Sequence, residues 1–289
     1  MKILRRFYTS LFLAAALTTS AVALPEGASV QAGTVNVQTN GSTQTITQSS
    51  DRAILNWNGF NIDVGELVHF VQPNSISAIL NRVVGQDPSQ ILGSMRANGQ
   101  VFLINPNGVV FGPGANIDVG SLVVSTLDIA DDDFMAGRLE FEQQADKELA
   151  GIINHGTIKI DSNGFLVLTG PMVANEGIVL AKVGQVALAG GTKSTISFDP
   201  TGLIQVELPG GSQSTDGIVS VSQGDVSSLL SNVVTTSVPS AGQIVERNGK
   251  TYLEVASGTV VNTGEIRADG LASGFGAEAS STVCALHLC

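Results

Sequence analysis

The chain has 289 residues, a formal net charge of −11, 43% hydrophobic residues and only 13% Asp, Glu, Lys and Arg. The acidic balance excludes a nucleic-acid binder, which needs a basic footprint, and disfavours adsorption to anionic lipid. High hydrophobicity with so few charges excludes a disordered chain. The two cysteines, Cys284 and Cys289, lie at the extreme C-terminus, so no disulfide framework stabilises the body. His69, His155 and His287 are too scattered for a structural zinc site. Neither a metal nor a cofactor is expected.

The N-terminus carries Lys2, Arg5 and Arg6, then the apolar run Leu11 to Leu17, then Ala21-Val22-Ala23. A positive segment, a short apolar segment and an A-x-A site form a secretory signal peptide. Ala21 and Ala23 flank the cleavage register, so residues 1–23 are the leader and the mature chain starts near Leu24. The apolar run is far shorter than the ~20 residues that span a bilayer. No later segment is long and apolar enough, so no stable membrane insertion is expected.

From about Ala28 onward, short β-prone runs alternate with Gly, Asn, Asp and Ser. Examples are Thr34 to Gln38, Gln100 to Ile104, Thr157 to Ile160, Phe165 to Leu168 and Gln185 to Leu188. Such runs bounded by turn formers read as strands. Asp131 to Ala150 is the best window for a 3.6-residue period; it holds a helical turn or a loop leading into a strand. Its run Asp131, Asp132 and Asp133 reads as a solvated acidic loop without a basic partner. Asp118, Asp128 and Asp161 read as turn residues.

A repeat organises the strands. Asn154-His155-Gly156 returns as Asn175-Glu176-Gly177 and again as Asn262-Thr263-Gly264, each leading into an apolar strand. A period of twenty-odd residues with one turn motif is the signature of a solenoid. Three short strands then make one coil, and stacked coils pair parallel strands ~4.8 Å apart. Repeated Asn residues bond to one another as a ladder, and Gly supplies the positive φ of a sharp corner. The competing architecture, a β-sandwich, prefers two-residue hairpins. Only one stands out, Ile244 to Arg247 and Lys250 to Leu253 around Asn248-Gly249, read here as a projection from the stack. Gly274 to Cys289 abandons the pattern. Residues 271–289 are expected to be a disordered tail, and the chain a truncated or frameshifted product.

The sharpest stretch runs from Asn81 to Asp128. It contains Asp87-Pro88-Ser89-Gln90-Ile91-Leu92-Gly93, Asn98-Gly99-Gln100-Val101-Phe102-Leu103-Ile104, Asn105-Pro106-Asn107-Gly108-Val109-Val110-Phe111-Gly112 and Ser125-Thr126-Leu127-Asp128. With Ile54-Leu55-Asn56-Trp57, Phe60-Asn61-Ile62-Asp63, Asn81-Arg82-Val83 and the Asn-x-Gly turns, it resembles the secretion domain of two-partner secretion exoproteins. That is the filamentous haemagglutinin family, and the likeness is strongest to its high-molecular-weight adhesin branch. It covers roughly residues 30–200, with weaker echoes to 270.

The resemblance implies an all-β fold over residues 24–270. The fold is a right-handed parallel β-helix with an N-terminal cap and extra-helical β elements. It also implies a partner, an outer-membrane β-barrel transporter with periplasmic POTRA domains. That partner exports the chain non-folded through a Gram-negative envelope, and the chain folds outside as a secreted or surface protein. The family's secretion motif falls on Asn105, Pro106, Asn107 and Gly108. The family's upstream Asn-Pro-Asn-Leu motif is not found, as in the adhesin branch. Nor is the cysteine pair of cytolysins, which weakens a haemolysin reading.

The residues of the motif have their own physics. Pro106 fixes φ for the second position of a turn, Asn105 accepts a backbone N–H, and Asn107-Gly108 tolerates left-handed geometry. The motif therefore acts either by nucleating the fold or by touching the transporter. No Ser–His–Asp set, Cys–His pair or phosphate loop is present, so a polysaccharide-processing enzyme is disfavoured. A monomer is expected, and a host receptor or glycan is the alternative partner.

Overall fold

The computed structural model describes residues 23–181, 184–198, 204–207, 218–221, 243–247, 250–254 and 259–267. The leader before residue 23 and the tail 271–289 lie outside them. The regular structure of the described residues is nearly all β, wound into a parallel β-helix of about seven coils, as the resemblance implied.

Three stacks of strands run along the helix. The first is Ser89–Ile91, Val109–Phe111, Gly151–Asn154, Met172–Asn175 and Thr259–Asn262, all parallel. The second holds Thr43–Gln48, Leu67–Val71, the starts of Ser94–Ile104 and Asn116–Ser125, then Thr157–Ile160, Ile178–Ala181 and Glu265–Arg267. The third holds Arg52–Trp57, Ala78–Val83, the ends of the same two long strands, Phe165–Gly170 and Gln185–Gly190. Parallel pairing throughout the stacks rules out the sandwich.

The second stack shows why these sequences form these strands. In Thr157–Ile160 the apolar residues are buried and Thr157 and Lys159 face outward, the alternation of a half-buried strand. Across coils, Val68, Met95, Ile117, Ile158, Val179 and Ile266 occupy one inward register and belong to a single core. Each such side chain contributes about 1.5–3 kcal/mol by leaving water.

The third stack differs. Phe165–Gly170 is buried at every position, the continuous run of a strand covered on both faces. Its outward row, Ile54, Leu80, Phe102, Val123, Val167 and Ala187, belongs to a second core. That core also takes in Leu127, Ile129, Phe134, Leu139, Phe141 and Ile196. The cover is the short helix Asp131–Ala136 and the antiparallel sheet of Leu139–Glu142, Lys193–Phe198 and Ile204–Glu207. The window at 131–150 thus supplies both a helical turn and a strand. Gly137 ends the helix in the left-handed conformation, at φ +78°.

The N-terminal end is capped by antiparallel strands. Ser29–Ala32 pairs with Arg52–Trp57, and Val35–Asn40 pairs with Thr43–Gln48. The predicted hairpin is present as Gln243–Arg247 against Lys250–Glu254, with Arg247 opposite Lys250; its turn at 248–249 lies outside the described residues.

Candidate functional site: the Asn105–Gly108 turn and the coil corners

Asn105–Gly108 turns the chain from the third stack of one coil into the first stack of the next. Gly108 N–H donates to the Asn105 carbonyl at 3.0 Å, closing a β-turn with Pro106 and Asn107 at its centre. Asn105 is fully buried and its side chain is saturated. Oδ1 accepts the Asn107 backbone N–H at 2.9 Å and the Asn107 amide at 3.0 Å. Nδ2 donates to the Asp87 carbonyl and to Ser89 Oγ, each at 3.0 Å. The Asx-turn expected of Asn105 is therefore formed.

The turn also braces the coil beneath it. Asn107 Nδ2 donates to the Gly85 carbonyl at 3.0 Å, and the Gly108 carbonyl accepts the Ser89 N–H at 2.9 Å. Gly108 sits at φ +112°, a region that side chains avoid. Pro106 is buried, so Asn107 is the most exposed of the four, and it is only half-exposed. In the folded domain the motif presents little surface; its polar groups face the protein.

The Asn-x-Gly turns form the expected ladder at the corner between first and second stacks. Asn154 Nδ2 donates to Asn175 Oδ1, and Asn175 Nδ2 to Asn262 Oδ1, each at 2.8 Å. Asn154 and Asn175 are fully buried. In lower coils the same register position holds Phe111 and Ile91, so the ladder begins only at Asn154.

The reason for the glycines differs from the expected one. Gly156, Gly177 and Gly264 do not adopt positive φ. They are needed because coils approach closely. A Cβ on Gly177 collides with the Gly156 carbonyl oxygen, and one on Gly264 with that of Gly177. On Gly156 it lies 2.7–2.8 Å from Ala115 and the Gly112 carbonyl oxygen.

The acidic run also departs from expectation. Asp131, Asp132 and Asp133 form the first turn of the short helix, and two of them are paired. Arg82 reaches from the third stack with Nε 2.8 Å from Asp128 Oδ1 and Nη1 2.6 Å from Asp131 Oδ1. Its Nη2 donates to the Ile129 carbonyl, and the side chain is only 12% exposed. Burial opposes its charge, but Asp128 and Asp131 outweigh burial and raise its pKa. Asp133 pairs with Arg138. Arg52 holds the other end of the helix, donating to the Phe134 carbonyl at 2.8 Å with its guanidinium over the Phe134 ring; burial lowers its pKa. No local pattern marks these arginines, because their partners lie 46 and 82 residues away.

Ala21 lies outside the described residues. Ala23 is described, and its backbone N–H donates to Glu66 Oε1 at 2.8 Å. Among the described residues, no group of three or more His, Cys, Asp or Glu side chains is placed to hold a metal ion.

Comparison with known proteins agrees with this geometry. A solved structure, the HMW1 secretion domain from Haemophilus influenzae, is 42% identical, superposes with a TM-score of 0.55, and is matched over 60% of this chain and 46% of that one. A heme/hemopexin-binding protein of Haemophilus influenzae is 35% identical over 192 residues, 64% of this chain and 21% of that protein. Another of the same name is 44% identical over 98 residues, 34% of this chain and 11% of that protein. The chain thus spans about a fifth or less of the curated relatives it matches. The model of the TPS secretion domain, the domain of exoproteins exported by two-partner systems, matches residues 21–268, and the chain belongs to that family.

Proposed function

We propose that residues 24–270 are the export module of a two-partner exoprotein, recognised in the periplasm by an outer-membrane β-barrel transporter with POTRA domains. Residues 1–23 are its signal peptide, and the β-helix forms on the outer side of the envelope. The module carries no catalytic role in this reading. The heme/hemopexin binding named for the two relatives is not carried over to this domain, which spans about a fifth or less of their length. Adhesion or receptor binding is likewise assigned to the whole exoprotein rather than to this domain.

Within that reading, Asn105-Pro106-Asn107-Gly108 carries secretion through the turn it forms, not through a surface held out to the transporter. The observation behind this is the complete burial of Asn105, with four hydrogen bonds on its side chain. A folded domain offers a partner little of the motif, whereas an emerging chain uses it to close one coil against the next.

The test is co-expression with the transporter and immunoblotting of the medium, for wild type and Asn107→Ala. Wild type is expected outside only when the transporter is present, and Asn107→Ala is expected to be retained. The purified variant is expected to melt earlier, since it loses two hydrogen bonds made by its side chain. A variant that is retained yet melts with wild type points to direct contact and sinks the folding role. Wild type that stays periplasmic beside a working transporter sinks the export reading.

A further inference from the structure

The first described residues are anchored. Leu24 and Pro25 are buried, Leu24 as part of the main core, and Gln44 Nε2 donates to the Pro25 carbonyl at 2.9 Å. Immediately before them, the Ala23 N–H meets Glu66 Oε1 at 2.8 Å. Glu66 is only 6% exposed. Its second oxygen accepts the Asp63 N–H at 2.7 Å. Among the described residues, no Lys, Arg or His side chain pairs with it. A carboxylate taken from water with only neutral amide donors is an unusual arrangement.

The missing cation has a source in the chain itself, given the signal-peptide reading above. Hydrolysis of the Ala23–Leu24 bond adds water across it. The hydroxyl goes to the Ala23 carbonyl carbon, and the Leu24 nitrogen leaves as an amine that is protonated at neutral pH. The same cut removes the donor that now occupies Glu66 Oε1. Leu24 stays anchored by its side chain and by the Pro25 carbonyl. Its nitrogen therefore remains one backbone unit, about 3.8 Å between Cα atoms, from the place the Ala23 nitrogen holds.

We propose that Glu66 is the binding site for the α-ammonium of the processed chain. The ion pair exists only after the leader is removed. Closing the N-terminal cap is thereby coupled to processing, and a chain that keeps its leader holds a neutral amide in its place.

The test exports the full chain, purifies the processed protein and reads its first residue by mass spectrometry. An acylating reagent at neutral pH then reports the α-amine. A paired ammonium keeps its proton, so wild type is expected to react about tenfold more slowly than Glu66→Gln, the effect of roughly one pKa unit. Glu66→Asp, which keeps the charge, is expected to stay slow. Equal rates for wild type and Glu66→Gln, in a chain that begins at Leu24, overturn the site. A Glu66→Asp amine as reactive as an ordinary exposed one overturns it even where Glu66→Gln fails to fold. A processed chain that begins elsewhere overturns the leader boundary as well, which separates the two failures. As a second measurement, Ala23→Leu retains the leader by blocking the cleavage site. Glu66→Gln leaves one acceptor where Glu66 has two, so it is expected to lower the melting temperature of both chains, but that of the processed chain further because it also loses the ion pair; equal drops overturn the coupling.

Discussion

Replacing Arg82 with Met probes how the strap at 126–142 is fastened to the stacked coils. The Arg82 side chain is 12% exposed, and its guanidinium contacts Asp128, Asp131 and the Ile129 carbonyl. Removing one partner of a fully buried ion pair costs about 3–5 kcal/mol. Here that range is discounted. Asp131 is 46% exposed, so its share is that of a surface pair, about 0–1 kcal/mol. Asp128 is 22% exposed, and it keeps hydrogen bonds from Gln144 and the Ile129 N–H. Met replaces the aliphatic stem of Arg, so little packing is lost. The net expectation is about 2–3 kcal/mol, concentrated on the strap. Urea unfolding measures the total, and hydrogen exchange followed by mass spectrometry locates it. Residues 131–142 are expected to exchange at least about tenfold faster in Arg82→Met, since 1.4 kcal/mol is one decade. Amides of Ala78–Val83 and Ser94–Ile104, held by their neighbouring strands, are expected to keep most of their protection. Arg138→Met is the control, because Arg138 is 57% exposed and pairs only at the surface with Asp133. The reasoning is refuted if Arg82→Met is no more destabilised than this control, or if strap exchange does not change.

Two further substitutions test the coil corners. Asn175→Ala removes the middle rung of the ladder and strands Asn154 Nδ2 and Asn262 Oδ1. A loss of about 2–4 kcal/mol is expected from two bonds and their orphaned partners, read as the shift in urea midpoint; a loss below about 0.5 kcal/mol, the range of plain surface changes, removes any structural role for the ladder. Gly177→Ala forces a Cβ against the coil below, where His155 and Gly156 backbone atoms already stand within 2.9 Å, and is expected to cost about 1–3 kcal/mol or more. Gly41→Ala meets no atom within 4 Å and bears only the strain of φ +57°, about 1–2 kcal/mol. A Gly177→Ala chain as stable as wild type contradicts the close approach.

What could be read from the sequence follows how local each signal is. The inward rows of the second stack were legible because alternation is a two-residue signal, as in Thr157–Ile160. The ladder was legible because its rungs Asn154 and Asn175 stand one coil apart, 21 residues. The run Phe165–Leu168 was legible as a strand, but neither its burial on both faces nor what buries it was. The cover comes from Phe134, Leu139 and Phe141 on a segment inserted between coils, and no periodicity links that segment to Ile54 or Leu80. The pairing of Asp131 with Arg82 was missed for the same reason, across 49 residues. The three corner glycines were found for the wrong reason. Positive φ and close backbone approach both select glycine, and one sequence does not separate them.

The strap also sets the order in which the domain can close. Coils of a solenoid stabilise one another through nearest neighbours, so a stack can grow one coil at a time. The third stack departs from that rule. The outward faces of Ile54, Leu80 and Phe102 are covered by Phe134 and its neighbours, and Arg52 and Arg82 find their partners only between residues 128 and 134. Coils containing residues 52–104 therefore keep an uncovered apolar face until the segment up to about Glu142 is in place. The strap closes over them where Phe134 packs edge-on against Phe102, ring centroids 5.1 Å apart, and the two arginines hold the helix; Lys193–Phe198 later extends the cover by pairing with Leu139–Glu142. No body cysteine takes part, so nothing covalent fixes an early coil before the strap arrives. Under this geometry the first four coils and their strap close as one unit, and the later coils add to a template already formed.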